Sequence, residues 1–258
     1  MTQGSFRFSM PVLLVLFAQV SLGCAAAQSR DVTFSSGAGS GSLVELYTSE
    51  GCSSCPPAEA WLGDWKSSPG LWSKVFPVNF HVDYWDGLGW PDRFARAGYT
   101  QRQRDYAARL RQDSVYTPEF VVDGEEFRGW FHGQPLPGAT AKGGDLKLGV
   151  KDGRFSGSYL PAGGGSTRGL TLNVAVLGMG LVTDVKGGEN EGRQLKHDFI
   201  VLGFRSAPLV SDGKGGWEAG PMEIKSSTGD SPAAVVGWVS GSNGAILQIA
   251  GGWMRAGR

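Results

Sequence analysis

The sequence predicts an α/β domain followed by an all-β, sandwich-like domain. Three observations carry this. Between residues 43 and 132, strand-like and helix-like patterns alternate. From 146 to 258, eight short apolar or alternating runs follow one another, separated by Gly, Ser and Asp and without a helical period. Most of the 41 glycines lie beyond residue 123, where tight turns are therefore expected.

LVELY at 43–47 reads as a short buried strand running into the turn TSEG and a pair of cysteines, Cys52 and Cys55. PAEAWLGDWKSS follows as a helix, because Ala58, Trp61, Leu62 and Trp65 recur at spacings of three and four. KVFPVNFHVDYW at 74–85 is a second strand, with Pro77 placing its regular part at about 78–84. TQRQRDYAARLRQD at 100–113 is a second helix with an inner stripe of Tyr99, Gln103, Tyr106 and Leu110. PEFVVDGEEFRGW at 118–130 is a hairpin turning at Asp123-Gly124. Residues 133–145 form a junction. Then LKLGV, RFSGSYL, LTLNVAVLG, LVTDV, HDFIVLGFRS, WEAGPMEI, AAVVGWVSG and AILQIAGG are the eight β segments.

Residues 1–27 read as a signal peptide: one charge at Arg7, an apolar core too short to span a bilayer, and Ala25-Ala26-Ala27 as a cleavage site before Gln28. The alternative end is Cys24 in SLGC, retained as a lipidated first residue. Residues 28–42 are Gly/Ser-rich and read as a flexible leader. Periplasmic or secreted location is the expectation. The 24 basic and 24 acidic residues cancel, which removes the electrostatic case for nucleic acid. Arg93, Arg96, Arg102, Arg104, Arg109 and Arg111 read as a mostly solvated helix face. No membrane span, phosphate loop or H-E-x-x-H is present in the sequence.

Two cysteines three apart at a helix start point to thiol–disulfide chemistry. A helix N-terminus lowers a thiol pKa, and the spacing lets the second sulfur close a disulfide. Pro56 and Pro57 are tolerated only in a first helical turn, so the helix starts near Cys55 with Cys52 ahead of it. Cys52 is therefore expected to be the exposed nucleophile and Cys55 the more buried resolving thiol. The prolines also leave fewer backbone donors for a thiolate. A zinc site is disfavoured, because no second cysteine pair exists and His81, His132 and His197 lack ligand spacing; no metal or cofactor is expected. A purely structural disulfide is also disfavoured, since so small a loop constrains the unfolded chain little.

The order strand, C-x-x-C, helix, strand, helix and Thr-Pro opening a hairpin resembles the thioredoxin-like plan. VELYTSEGCSSCPPAEA, FHVDYWDGLGW, TQRQRDYA, VYTPEFVVDG and GRQLKHDFIV together resemble a family of exported bacterial and plant proteins of uncharacterised function, which join a thioredoxin-like domain to a β-rich tail. The resemblance implies a cis Thr117–Pro118 peptide packed beside the disulfide, with Pro118 shaping the docking surface and Thr117 bonding along the neighbouring edge. Two departures stand out: GWFHGQPLPGATAKGGDLKL is a poor closing helix, and Gly51 replaces the usual aromatic residue before the first cysteine.

Glu45, within LVELY, is either a buried proton carrier below Cys55, comparable to the buried Asp of thioredoxins but one residue further away, or an edge-strand carboxylate facing solvent. His81 and Asp83 share a strand face near Trp85, Asp86 and Trp90, as cleft or as core. GENEGRQLKHD, with Glu189, Asn190, Arg193 and His197, is either a loop folded over the site or a polar turn. The function expected is thiol–disulfide exchange with exported protein thiols or disulfides, or small thiols, through Cys52, Cys55, Pro118, Thr117 and Glu45. The alternative is a non-catalytic binding module with a structural disulfide.

Overall fold

The computed structural model describes residues 31–37, 39, 41–139, 143–163 and 168–254, with Met1, Thr2 and Gly4. The apolar core of the expected signal peptide, Cys24 and the cleavage site lie outside the described residues. The chain runs through β1 (Val32–Ser35), β2 (Ser42–Thr48), α1 (Pro56–Asp64), β3 (Val75–His81), α2 (Ala97–Leu110), β4 (Glu119–Val122) and β5 (Glu125–Glu126). It continues through β6 (Asp145–Lys151), β7 (Arg154–Leu160), β8 (Thr171–Gly178), β9 (Leu181–Asp184), β10 (Gln194–His197) and β11 (Ile200–Pro208). The last strands are β12 (Val210–Ser211), β13 (Trp217–Glu223), β14 (Ala234–Ser240) and β15 (Ile246–Trp253).

These strands make one eight-stranded sheet of order β15-β14-β8-β11-β3-β2-β4-β5, a five-stranded sheet β1-β6-β7-β13-β12 and the ribbon β10-β9. This corrects the expected fold class. Strands hold 40% and helices 17% of the described residues, so the protein is a β-rich fold and not an α/β thioredoxin-like domain followed by a β-sandwich. The decisive strand is β3. All seven of its residues are buried, and a strand of that kind needs partners on both edges. β2 takes one edge in parallel, from Ser42↔Val75 to Thr48↔His81. The other edge goes to β11, with Ile200 opposite Asn79 and the Asn79 N–H donating to the Phe199 carbonyl at 2.9 Å. Strands from both halves of the chain thus extend a single sheet.

Helix α2 covers one face of that sheet. Tyr99 and Tyr106 pack edge-on to Phe80 and Tyr47, and the layer continues through Phe204 to the fully buried Trp238. The opposite face is covered by α1, where Trp61 meets Phe120, and by the five-stranded sheet. There Leu146, Leu148 and Phe155 pack against Leu172, Val174 and Val235. Among the described residues, no helix is long and apolar enough to cross a membrane.

Local boundaries differ from expectation in three places. Val32–Ser35, read as leader, pairs with β6. β3 begins at Val75 and includes Pro77, opposite Val44. Helix α2 begins at Ala97, three residues early, and buries Thr100 and Ala107 where Leu110 was expected. The hairpin turn is as read: Asp123 and Gly124 both have positive φ, 51° and 94°, the requirement of a two-residue turn with this twist. A Cβ on Gly124 would also lie 3.1 Å from the Arg109 guanidinium. Gly124→Ala is expected to cost about 1–2 kcal/mol, seen in thermal unfolding as a fall in Tm of roughly 2–8 °C. After the hairpin, among the described residues, a 3-10 turn, Gly129–His132, takes the place of a closing helix.

Candidate functional site

Cys52 and Cys55 form a disulfide with a Cα–Cα separation of 5.4 Å. Cys55 caps α1, and Pro56 and Pro57 occupy its first two positions. The Ala58 and Glu59 N–H groups already donate to the Cys55 carbonyl, so the first turn offers few free donors to a thiolate. The Ser54 hydroxyl, 3.3 Å from Cys52 Sγ, is a polar group that can take that role. The expected difference in exposure is corrected: Cys52 and Cys55 are both fully buried.

The segment between β9 and β10 is bonded to the backbone on both sides of Cys52. Asn190 sits in a 3-10 turn and donates through Nδ2 to the carbonyls of Glu50 and Cys52, both at 2.9 Å. Its own Oδ1 is held by Arg193 at 2.8 Å. Glu189 accepts from the Ser53 N–H at 3.0 Å. GENEG is therefore a loop folded over the cysteine pair. Removing the clamp in Asn190→Ala forfeits bonds together worth about 1–2 kcal/mol. Reduction of the disulfide by dithiothreitol is then expected to run roughly 5–30 times faster, measured by trapping free thiols over time.

Beneath the pair lies a buried cluster of charged groups. His197, at the end of β10, faces Glu59 of α1 through Nδ1 at 2.6 Å and Glu50 through Nε2 at 3.1 Å. His81, ending β3, holds Asp92 through Nδ1 at 2.6 Å. Asp92 also accepts from the Glu50 and Phe94 N–H groups. Thr48 donates to Glu59 Oε1 at 3.0 Å, and Trp90 to Glu50 Oε2 at 2.8 Å. Burial alone lowers the His197 pKa, but Glu59 and Glu50 reverse this and carry it to about 10. His81 follows the same pattern, with burial overcome by Asp92 and Glu59. Burial raises Glu59 and Asp92, and the facing imidazoles bring both below the ordinary carboxylate range. Two atoms are left over: His81 Nε2, and Oδ1 of Asn79, whose Nδ2 reaches Glu59, are buried without a hydrogen-bond partner, which costs about 1–3 kcal/mol each if nothing else satisfies them.

The remaining expected site residues fall in two places. The Thr117–Pro118 peptide is cis, and Thr117 Oγ1 accepts from the Trp85 indole at 2.8 Å. β4, which Pro118 precedes, pairs antiparallel with β2. Pro118, Ser54, Tyr116, Arg128, Trp130 and Phe131 line a cleft of about 470 Å³. Glu45 is elsewhere. It is fully buried but on the α2 face of the sheet, in a two-pronged pair with Arg102 at 2.8 and 2.9 Å, with Tyr47 and Tyr106 donating to it at 3.0 and 2.5 Å. α1 packs on the other face, so Glu45 is not brought to the cysteines. Arg102, read as solvated, lies between this carboxylate and the rings of Phe204 and Trp238. Asp83 accepts from Thr100 Oγ1 and takes no part in the His81 cluster.

Residues 43–239 match the family described as "Protein of unknown function (DUF1223)". The chain belongs to the DUF1223 family. No curated protein matches it. Two solved structures share the fold of this DUF1223 chain at low identity. One is a crystal structure of a protein from Agrobacterium tumefaciens, 22% identical, with a TM-score of 0.55, covering 85% of this chain and 97% of that one. The other is HBP35 of Porphyromonas gingivalis, 15% identical, with a TM-score of 0.57, covering 83% and 75% respectively.

Glu50, Glu59 and Asp92 escaped the sequence reading. For Glu59 a signal existed: it follows Cys55 by four residues and precedes Leu62 by three, so it lies on the inward stripe of α1. Glu50 and Asp92 sit in irregular segments with no periodicity to read.

Proposed function

We propose that the protein is a thiol–disulfide oxidoreductase acting outside the cytosol on protein thiols or disulfides, or on small thiols. The observation that carries this reading is the Cys52–Cys55 disulfide at the start of α1, beside a cleft that Ser54 and Pro118 both line. A disulfide so placed exchanges with an incoming thiolate. The substrate sulfur attacks Cys52, Cys55 leaves as a thiolate, and a second substrate thiol releases Cys52, so one substrate disulfide forms as the pair is reduced. The reverse sequence reduces a substrate disulfide with Cys52 as nucleophile and Cys55 as resolving thiol. Ser54 supplies a hydrogen bond to the Cys52 thiolate in either direction. The half-exposed Trp130 and the exposed Phe131 offer apolar contact to a polypeptide substrate.

Insulin reduction and oxidation of a dithiol peptide test this on the wild type and Cys52→Ser. Turnover in the wild type that vanishes in the variant supports the reading. The burial of both cysteines under the Asn190 clamp favours a second one, a binding module with a structural disulfide. That reading predicts no turnover in either direction and equal rates for the two proteins.

A further inference from the structure

We propose that Glu59, His81 and His197 form a binding site for one first-row divalent cation, with zinc the best-matched ion and Asp92 orienting His81. One nitrogen of each imidazole and one carboxylate oxygen lie within 4.8 Å of one another, a span that a single ion with bonds of about 2.0–2.2 Å can draw together. Two imidazoles with one carboxylate suit zinc and its neighbours, whereas calcium and magnesium take oxygen ligands.

Two independent observations point to a ligand here rather than to a closed ion-pair cluster. His81 is fully buried, and its Nε2 has no hydrogen-bond partner. That nitrogen stands 3.9 Å from Glu59 Oε1, too far for a hydrogen bond and close to the spacing of two ligands on one ion. Its other nitrogen is held by Asp92 at 2.6 Å, the carboxylate–histidine arrangement that orients metal-bound imidazoles. Second, the cluster has a way in. Glu59 lines a cleft of about 470 Å³ between α1 and the strand carrying Leu195 and Lys196, while both histidines are fully buried. Asn79, two residues before His81, also reaches Glu59 through Nδ2 at 3.4 Å and leaves its Oδ1 unpartnered. A cation held here would tie α1, β3 and β10 together directly below the cysteine pair.

The test uses tag-free protein with the disulfide closed, so that thiolates contribute nothing and the result is independent of the exchange reading. After dialysis against a chelator, Zn²⁺ is titrated by calorimetry, and Co²⁺ by visible absorption. One equivalent per chain is expected, with a Zn²⁺ Kd below about 1 μM, cobalt d–d bands, and a higher Tm in the presence of zinc. Glu59→Gln and His81→Ala should each weaken zinc binding at least about 100-fold, and Asp92→Asn by roughly 10–100-fold. If His81→Ala does not fold, Glu59→Gln decides alone, since the amide keeps the volume and loses the charge. Absence of stoichiometric binding by folded wild type, equal binding by Glu59→Gln, or binding only after reduction of the disulfide would each overturn the proposal.

Discussion

Cys55→Ser is expected to abolish turnover and to leave Cys52 joined to substrates in mixed disulfides. The loss should reach at least about three orders of magnitude, the scale of removing a member of a catalytic unit. The cause is chemical. With Cys55 absent, the bond from Cys52 to a substrate sulfur has no neighbouring thiol to resolve it. Non-reducing gels followed by mass spectrometry of the adducts on Cys52 would show this. Cys52→Ser should be equally inactive but should collect few adducts, because the Ser54 hydroxyl that can hold a thiolate stands beside Cys52 and not beside the helix cap Cys55. Equal trapping by the two variants would reverse the assigned roles. Trapping by neither, with no turnover in the wild type, would leave the disulfide structural.

Arg102→Met is expected to destabilise the fold by about 3–5 kcal/mol, the usual cost of removing one partner from a buried ion pair. For a chain of this size that is a fall in Tm of roughly 6–20 °C, read by circular dichroism and confirmed by urea titration. The effect comes from what remains. Glu45 would keep its bonds from Tyr47 and Tyr106 but lose the cation that neutralises a fully buried carboxylate. Arg102 also spans the α2 face between Tyr106 and Trp238, so packing is lost with the charge. The double variant Glu45→Gln, Arg102→Met should recover part of the deficit, since no unpaired charge is left. A single variant as stable as the wild type would mean that the pair does not hold α2 to the sheet.

Much of the site was legible because its signals are local. Cysteine spacing, two prolines in a first helical turn and the Asp123-Gly124 turn depend on a few adjacent residues, and each took the expected form. GENEGRQLKHD stood out as a polar segment between two β runs, and it supplies Glu189, Asn190, Arg193 and His197 to the site. The eight β segments of the second half were likewise marked by their own alternation and turns, and each carries a strand.

The sequence by itself determined both helices and most of the strands, where the cysteine pair begins α1, and many of the residues that seek burial; it did not mark β1, β10 or β12. Tertiary structure alone decided how those pieces meet. A strand's pattern records which of its faces are buried but not which distant strand bonds to its edge, because backbone donors and acceptors are the same in every residue but proline. The joining of β3 to β11, which makes one sheet of two expected domains, is therefore invisible locally. The same holds for charge. Glu45 and Glu59 are both buried carboxylates, yet the first faces Arg102 and the second faces two histidines. Only the opposite packing of α1 and α2 on the sheet separates an ion pair that holds the fold from the cluster beneath the cysteines.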